Sequence, residues 1–268
     1  MIQRPKISRK RADELLLLAG LAPSRSQAQA LIMAGEVGAR KNPGAQVASA
    51  GWQAVRKAGE LWPEDSFFQV APRRRYVSRG GLKLEGALED LGLSPRGWNC
   101  LDIGASTGGF TDCLLRHGAA GVCAVDVGRN LMDPRLRRDG RVRLIEGLNA
   151  RRLAAELPGP PDFDLAVMDV SFISLGLILP QAAGLVRAEG RLLAMVKPQF
   201  EVGRAKVGKK GVVRDPEAIR AAVDKISALG PALSPPFREL GRAPSRLTGP
   251  EGNQEVFVLF GPGGASEN

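Results

Sequence analysis

Residues 101–110 have the sequence Leu-Asp-Ile-Gly-Ala-Ser-Thr-Gly-Gly-Phe, an apolar strand that leads into a glycine-rich turn and then into a helix. This layout is typical of the first strand–helix unit of nucleotide-binding folds. A dinucleotide site would need glycine at positions 104, 106 and 109. Position 106 is Ser, which obstructs close contact with a pyrophosphate, and the Gly-Lys-Ser/Thr sequence of phosphate-binding NTPase loops does not follow. The turn therefore favours a cofactor without phosphate groups.

Two carboxylates beside this turn indicate which cofactor it would hold. Asp126 ends the next predicted strand, 22 residues after Gly104, and can accept hydrogen bonds from both hydroxyls of a ribose. Asp102 precedes the turn, where its carboxylate can lie near an ammonium group. A ribose, an ammonium group and no phosphate describe S-adenosylmethionine, and Asn149 can meet the adenine edge. The predicted cofactor-binding residues are Asp102, Gly104, Ser106, Gly108, Gly109, Asp126 and Asn149.

The chain from Lys83 onward alternates between strand and helix patterns. Repeated strand–helix units predict an α/β fold with a doubly wound, mostly parallel, Rossmann-like sheet. Ligands of such sheets bind at the carboxyl ends of the strands. The predicted helices are 82–92, 107–117, 175–186 and 215–229, and the predicted strands are 99–104, 121–126, 142–146, 164–169, 191–197 and 255–260.

Four further residues lie at predicted strand ends or beside the sheet and can carry chemistry. Asp169 ends the fourth strand, Lys197 ends the fifth and Glu255 opens the last one, while Lys83 precedes the whole sheet. Two lysines and two carboxylates that converge on one cleft would couple their protonation. One lysine could then act as a base towards a poor nucleophile such as a ribose hydroxyl. The alternative is that these residues form ordinary surface ion pairs.

Positive charge is concentrated in the first third of the chain. The 268 residues contain 38 Lys and Arg against 28 Asp and Glu, a net charge of +10. Residues 1–82 hold 14 basic and 6 acidic residues, whereas residues 83–268 hold 24 and 22. A small cationic module beside a nearly neutral one predicts binding to a polyanion, with nucleic acid as the first candidate. The alternative is that these charges only keep the protein in solution.

The cationic module is predicted to be a small α+β domain that begins with two helices. Ser8 can cap a first helix that ends at Gly20, and Ser24 begins a Ser-x-x-Gln capping box for a second helix. Arg25 occupies the first position of that second helix, where a cation is unfavourable unless an anion joins it. A phosphate bound by Arg25 and the free backbone amides would resolve this conflict.

A basic hinge before Gly80 and Gly81 marks the predicted domain boundary. We expect an RNA-binding domain at 1–70, a basic linker at 71–81 and a second domain at 82–268. The basic loop 206–211 is predicted to be a mobile lid. The predicted RNA-binding residues are Arg9, Lys10, Arg11, Arg25, Arg73, Arg74, Arg75, Lys209 and Lys210.

Cysteine and histidine usage excludes several classes of site. The three cysteines match no zinc spacing, and the single histidine, His117, leaves almost no material for a metal site or a Ser-His-Asp triad. We interpret the cysteines as buried and reduced. The chain opens without a signal-peptide pattern, and its longest apolar stretch, 170–186, is too interrupted to span a membrane. These features predict a cytoplasmic protein.

Five sequence blocks, in order, resemble the TlyA (haemolysin A) family. They are Tyr-Val-Ser-Arg-Gly-Gly-Leu-Lys-Leu (76–84), residues 101–112, Met-Asp-Val-Ser-Phe-Ile-Ser-Leu (168–175), Lys-Pro-Gln-Phe-Glu (197–201) and Gly-Pro-Glu-Gly-Asn-Gln-Glu (249–255). The resemblance implies a ribosomal RNA 2′-O-methyltransferase acting on cytidine in 16S or 23S RNA, with an FtsJ-like domain. It also implies a catalytic tetrad, with Lys197 as the base. Carried over by position, the tetrad is Lys83, Asp169, Lys197 and Glu255.

Residues 9–16 and 20–28 are similar to the small RNA-binding module of the ribosomal protein S-four type. Two other classes of function stay open. A nicotinamide-dependent oxidoreductase is disfavoured by Ser106 and by the lack of a histidine suited to a hydride-transfer site. An RNA-binding or membrane-active, haemolysin-like protein would not transfer methyl groups, and its activity would survive the loss of Lys197. The alternative for the turn glycines and Asp126 is a purely structural turn and helix cap.

Overall fold

A computed structural model describes residues 8–33, 36–41, 52–70, 75–157, 162–208, 211–249 and 251–263. The chain divides into two compact units, Met1–Arg74 and Arg75–Asn268. The first helix of the second unit begins at Arg79, inside the segment expected to be the linker.

The first unit combines two helices with short antiparallel strands. Strand β1 (Arg9–Arg11) pairs with β4 (Leu61–Pro63). In a separate sheet, β2 (Val37–Arg40) lies between β3 (Gln53–Ala54) and β5 (Phe67–Val70). Leu16 and Ile32 of the helices pack in one core with Val37 and Trp62 of the strands. The described elements are β1 (Arg9–Arg11), α1 (Ala12–Leu18), α2 (Arg25–Met33), β2 (Val37–Arg40), β3 (Gln53–Ala54), β4 (Leu61–Pro63) and β5 (Phe67–Val70).

The start of the first helix differs from the prediction. Ser8 does not cap it, because the next three residues form β1 and the helix begins at Ala12. The strand pairs with residues 61–63, a partner too distant along the chain for the local pattern to reveal. The second helix begins at Arg25 as predicted, and the Ser24 hydroxyl accepts a hydrogen bond from the backbone N–H of Gln27 at 3.2 Å.

The second unit alternates strands and helices over most of its length. Short 3₁₀ turns at 150–152, 175–177, 204–206 and 230–232 connect some of them. The helices are α3 (Arg79–Asp90), α4 (Gly109–Arg116), α5 (Pro134–Arg137), α6 (Leu153–Glu156), α7 (Leu179–Ala183), α8 (Pro198–Glu201) and α9 (Pro216–Ser227). The strands are β6 (Asn99–Ile103), β7 (Gly121–Asp126), β8 (Val142–Glu146), β9 (Phe163–Met168), β10 (Val186–Val196), β11 (Phe237–Pro244) and β12 (Val256–Pro262).

These strands form one seven-stranded sheet in the order β11-β12-β10-β9-β6-β7-β8. The five strands from β10 to β8 are parallel, whereas β12 runs antiparallel to both of its neighbours. The chain moves outward from β6 to β8 and then returns to β9, so the order reverses between β6 and β9. In such sheets the ligand crevice lies at the carboxyl ends of the strands around this reversal. The predicted α/β, doubly wound fold is confirmed.

Helices cover both faces of the sheet, which explains its nearly continuous apolar strands. On one face, Leu84 of α3 and Leu114 of α4 pack against the strands. On the other face, Leu153 of α6, Ala182 of α7 and Ile226 of α9 form a second core. Because both faces are covered, polar side chains of the strands reach solvent mainly at the strand ends.

One predicted helix needs correction, and one strand was missed. The helix predicted at 175–186 is a 3₁₀ turn followed by the short helix α7, and residues 186–190 extend strand β10. The edge strand β11 was not predicted, because its exposed charged residues and Gly241 hide the buried positions Phe237 and Ala243.

The cysteines are buried, as predicted, in the cores of the second unit. Burial raises the pKa of the Cys100 and Cys113 thiols to about 12 and that of Cys123 to about 11. These thiols are therefore protonated and inert at neutral pH. Within the described ranges no helix is long and apolar enough to cross a membrane.

Candidate active site

The turn after β6 depends on glycine at its first position. Gly104 has φ +85°, a region that L side chains rarely adopt, and a Cβ there would come 2.6 Å from the backbone oxygen of Asp169. Ser106, which replaces the middle glycine of a dinucleotide site, also has positive φ, at +48°. The backbone of this turn therefore approaches the end of β9 without an intervening side chain.

The other two glycines allow the turn to pack against neighbouring helices. Gly108 has φ +91°, and a Cβ there would come 2.4 Å from Leu136. A Cβ on Gly109 would come 2.2 Å from the Ser78 hydroxyl and 3.0 Å from the backbone nitrogen of Gly81. Neither glycine lines the cavity at the carboxyl ends of the strands, so both shape the turn on the side that faces away from that cavity.

Asp126, at the end of β7, fixes the turn through its carboxylate. One oxygen accepts a hydrogen bond from the backbone N–H of Ser106 at 2.8 Å, and the other accepts one from Gly128 at 2.6 Å. Each carboxylate oxygen has a further lone pair, so both can still accept a hydroxyl. The predicted ribose contact is compatible with this geometry.

A cavity of about 370 Å³ opens at the carboxyl ends of the strands. Polar groups of Gly104, Asp126, Asn149 and Asp169 line it, and these residues lie at or within three residues of the ends of four neighbouring strands. Its remaining walls are largely apolar and include Val127, Leu131, Leu148, Val170 and Ile173. The size lies in the range of small-molecule sites, and the mixture of apolar walls and few polar groups suits a nucleoside. The residues present therefore fit S-adenosylmethionine.

Asp102 lies behind this cavity and does not line it. Its side chain is fully buried, and the Thr111 hydroxyl donates a hydrogen bond to one carboxylate oxygen at 2.6 Å. The other oxygen has no hydrogen-bond partner among the described residues. Burial raises the pKa of Asp102 to about 7, and the negative charges of Asp169 and Asp126 act in the same direction. Its predicted contact with an ammonium group stays a prediction.

Lys197 and Asp169 form an ion pair at the rim of the cavity. The Lys197 Nζ lies 2.6 Å from Asp169 Oδ1 and donates a hydrogen bond to the Ser171 hydroxyl at 2.8 Å. The contact with Asp169 is an ion pair and the contact with Ser171 is a hydrogen bond, so the ammonium group keeps capacity to donate to a further acceptor. The lysine side chain is mostly buried, which limits the positions that its nitrogen can take.

Lys83 and Glu255 form a second ion pair, with both side chains buried and a close Nζ–carboxylate contact. The strand register places this pair beside the first. Val196 of β10 is opposite Val256 of β12, so the next residues, Lys197 and Glu255, leave the sheet side by side. The structure thus brings all four residues of the predicted tetrad to one edge, in two ion pairs.

Sequence reasoning did not select Glu201, which anchors the loop after β9. Its carboxylate accepts hydrogen bonds from the Ser174 hydroxyl and from the backbone N–H of Leu175, both at 2.7 Å. Lys225 of α9 donates to the Glu201 backbone oxygen at 3.1 Å. Glu201 therefore fastens the loop that carries Ser171 to helix α8. An acid shortly after the strand-end Lys197, at the end of the segment Pro-Gln-Phe-Glu, was the available signal.

An exposed aromatic residue beside the lysines was also missed. Phe172 is 92% exposed, has φ +64° and lines the cavity. Its ring lies 5.3 Å from that of Phe200, at an interplanar angle of 50°. A phenylalanine held in strained backbone with almost no burial makes no contribution to the core. The Ser-Phe pair that begins two residues after the strand-end Asp169 could have indicated it.

The basic residues predicted to bind RNA in the first unit are partly engaged in internal contacts. Asp13, which is fully buried, accepts hydrogen bonds from Arg11 at 2.9 and 3.0 Å and from Arg25 at 3.1 Å. These contacts, that of Arg11 first, hold the Asp13 pKa well below its usual range. The charge conflict at the start of α2 is thus resolved by a carboxylate. Lys10 pairs with Glu64 at 2.5 Å, and Arg9 donates to a backbone oxygen at 2.8 Å.

Of the other five predicted RNA-binding residues, the structure describes only Arg75. Arg75 pairs with Glu85 at 2.6 Å, and its guanidinium lies over the Tyr76 ring. Arg73, Arg74, Lys209 and Lys210 lie outside the described residues. The RNA-binding role of all these residues stays a prediction.

The fold, the cavity and the groups around it define an S-adenosylmethionine-dependent methyltransferase. Residues 76–262 match the family model described as FtsJ-like methyltransferase. The chain belongs to this family, in the branch formed by TlyA and hemolysin A.

Two relatives and one solved structure identify that branch. The "16S/23S rRNA (cytidine-2'-O)-methyltransferase TlyA" of Mycobacterium tuberculosis is 41% identical over 251 residues, which cover 93% of this chain and 89% of that protein. "Hemolysin A" of Brachyspira hyodysenteriae is 39% identical over 254 residues, which cover 93% and 99%. A solved structure of a "putative hemolysin" from Streptococcus thermophilus has 38% identity and a TM-score of 0.66, covering 96% of this chain and 90% of that one. The family resemblance is confirmed.

Proposed function

We propose that this protein methylates the 2′-hydroxyl of a cytidine in ribosomal RNA, with Lys197 as the base. The observation that carries the proposal is the Lys197 amine, held by Asp169 and Ser171 at the rim of the cofactor cavity. The names of the relatives supply the class of nucleic acid and the nucleotide, since 16S/23S and 23S cytidine methyltransferases are among them. A ribosomal substrate would place the protein in the cytoplasm.

The cofactor is held mainly by one side of the cavity. Asp126 would accept the ribose hydroxyls and Asn149 would meet the adenine edge, since both line the cavity, while the Gly104 turn would let the amino-acid end of the cofactor approach the backbone. Bound S-adenosylmethionine supplies an electrophilic methyl group on a positively charged sulfur. The apolar walls exclude water from this group, which removes the competing nucleophile.

Lys197 acts on the substrate hydroxyl. In its neutral form the amine accepts the proton of the 2′-hydroxyl, while a new bond forms between that oxygen and the methyl carbon and the carbon–sulfur bond breaks. Asp169 and Ser171 fix the nitrogen so that its remaining position points at the substrate. After the transfer the proton is on Lys197, the oxygen carries the methyl group and the sulfur is neutral.

The second ion pair balances charge around the base. Glu255 lies beside Lys197 and is neutralised by Lys83, so the two cations and two carboxylates sum to zero. A buried cluster without net charge is less costly than an isolated buried lysine.

The target nucleotide must leave its stack to bring a ribose hydroxyl to this edge. Phe172 supports that step, because an exposed ring beside the reacting centre offers a surface on which a displaced base can stack. The first unit, with its excess of basic residues, would bind the RNA through phosphates.

The test is transfer of labelled methyl from S-adenosylmethionine to ribosomal RNA, ribosomal subunits and intact ribosomes that lack the modification. We expect label at one phosphodiester that becomes resistant to alkali, because a methylated 2′-oxygen cannot attack the neighbouring phosphate. Lys197→Ala and Lys197→Arg should both reduce transfer by roughly 10³-fold, while cofactor binding stays intact.

The arginine variant separates two roles of the lysine. Arginine keeps the positive charge but does not lose its proton in proteins, so it cannot act as a base. Transfer by Lys197→Arg at close to the normal rate would overturn the assignment of the base. Tight cofactor binding without label on any ribosomal substrate would overturn the substrate assignment.

A further inference from the structure

The excess positive charge of the second unit comes from one segment. Residues 127–152 contain eight basic residues, all Arg, and three acidic ones. The rest of the second unit, residues 75–268, contains 18 basic and 19 acidic residues. Without this segment the methyltransferase unit would carry negative charge, which is unfavourable for binding a polyanion.

Half of these arginines are engaged in ion pairs and half are not. Arg135, Arg137 and Arg141 pair with the three acidic residues of the segment, and Arg152 pairs with Glu156. The remaining four are exposed, and they form no hydrogen bond or ion pair through their side chains within the described part of the chain. We name these four the β8 arginine patch: Arg129, Arg138, Arg143 and Arg151.

The patch surrounds the edge strand β8 from both faces of the sheet. Arg143 lies on β8 itself, opposite Cys123 of β7, and Arg138 directly follows helix α5. The guanidinium of Arg129 lies against Gly147, where a Cβ would come 2.5 Å from it. Arg151 follows the cavity residue Asn149 by two positions. The patch therefore extends from the outer edge of the sheet to the rim of the cofactor cavity.

We propose that the β8 arginine patch binds the phosphate backbone of the RNA substrate, as a contact surface of the methyltransferase unit itself. The inference rests on the proposed function for the identity of the polyanion. Unpaired arginines suit this partner, because the guanidinium presents a planar set of donors that matches a phosphate. Four of the eight arginines pair with the three acidic residues of the segment and with Glu156, so the four that stay unpaired provide an uncompensated positive charge of four.

The position of the patch agrees with the reach of an RNA strand. Four strand spacings separate β10, which ends at Lys197, from β8, a distance of about 19 Å. That is the length of roughly six stacked nucleotides. RNA that places a ribose at Lys197 can thus meet the patch a few nucleotides away.

The opposite edge of the sheet provides a matched control. Arg238 is on the edge strand β11 and Arg220 is on helix α9, and both are exposed without a side-chain partner among the described residues. The variant Arg138→Glu/Arg143→Glu is therefore compared with Arg220→Glu/Arg238→Glu. Both change the net charge by the same amount, and none of the four residues contacts the cofactor cavity.

The experiment measures the dissociation constant of full-length protein for a ribosomal RNA fragment at several salt concentrations, and cofactor binding by calorimetry. We expect the β8 variant to bind RNA at least roughly tenfold more weakly than the control, and its salt dependence to decrease by about two in slope. Cofactor affinity should be equal in both variants. Equal RNA affinity and equal slopes in the two variants would overturn the inference.

Methyl transfer distinguishes this inference from the proposed function. If the unmodified protein labels ribosomal RNA but both variants bind it alike, the patch is not an RNA contact and the proposed function stands. If the unmodified protein labels no ribosomal substrate and only the β8 variant loses RNA binding, the patch is an RNA contact and the proposed function fails.

Discussion

The two sides of the cavity are built by different means. On the cofactor side, at the ends of β6 and β7, the backbone determines the shape: Gly104 has positive φ, and Asp126 accepts two backbone N–H groups. On the lysine side, at the ends of β9, β10 and β12, two side-chain ion pairs determine the geometry. The turn on the cofactor side therefore has almost no room for an added atom. The geometry of the lysine side depends instead on the charges of its side chains and on where their protons lie.

This difference teaches that binding and chemistry should be separable by mutation. A change in the backbone-built side alters where the cofactor lies. A change in the ion-paired side alters the proton acceptor but leaves the cofactor in place. The predictions below begin with the variant expected to affect methyl transfer most.

Apart from the variants of Lys197, the largest effect is expected for Gly104→Ala. Its Cβ would come 2.6 Å from the backbone oxygen of Asp169, and its φ of +85° would be strained. We expect cofactor affinity to fall by roughly 100-fold, equivalent to about 3 kcal/mol. Calorimetric titration with S-adenosylmethionine measures it.

Gly140→Ala is the matched control, because a Cβ at that position meets no atom within 4 Å. It should bind the cofactor with unchanged affinity. Equal affinities of the two alanine variants would show that the turn does not need a glycine.

A smaller effect is expected for Ser171→Ala, on the other side of the cavity. The variant removes the hydroxyl that accepts a hydrogen bond from Lys197 at 2.8 Å. The amine keeps its contact with Asp169 but loses one of two constraints, so kcat should fall about tenfold. Cofactor affinity and the KM for RNA should not change. A loss of cofactor affinity comparable to the loss in kcat would mean that Ser171 belongs to the cofactor side.

The smallest effect on methyl transfer is expected for Asp102→Asn, which should instead change how stability depends on pH. In the folded protein the pKa of Asp102 is about 7, above its ordinary value of 3.8. Between these values the unfolded chain has released the proton and the folded one retains it. Stability therefore decreases as pH rises from about 4 to 7, by on the order of 4 kcal/mol.

Denaturant unfolding at pH 4, 5.5 and 7 measures this contribution. Asp102→Asn lacks the titrating group, so its stability relative to the unmodified protein should rise across the window. A constant difference between the two proteins at all three pH values would show that Asp102 is ionised throughout.

The sequence was most informative where a local pattern determines the structure. The turn at 101–110 predicted both the strand–helix unit and the cofactor, because glycine and aspartate at fixed spacing report directly on backbone shape. It also placed Asp126 and Asn149 at the ends of the next two strands, where both line the cavity.

Long-range partners could not be derived from local sequence patterns, although the family resemblance implied the tetrad. Lys83 and Glu255 are 172 residues apart, and only the register of β10 with β12 brings that pair beside Lys197. The carboxylate of Asp13, on another helix, accepts a hydrogen bond from Arg25, for which a phosphate partner was predicted. Phe172 was missed for a related reason, since an apolar residue is expected in the core unless the fold shows it exposed.

The most direct test of the two-sided site measures cofactor binding and methyl transfer in Lys197→Ala and Asp126→Ala together. Lys197→Ala should bind S-adenosylmethionine with normal affinity and transfer almost no methyl at any cofactor concentration. Asp126→Ala should bind it weakly but regain most of its transfer rate when the cofactor is raised to saturation. If Lys197→Ala loses cofactor binding, or if Asp126→Ala stays inactive at saturation, the two sides do not have separate roles and the account is contradicted.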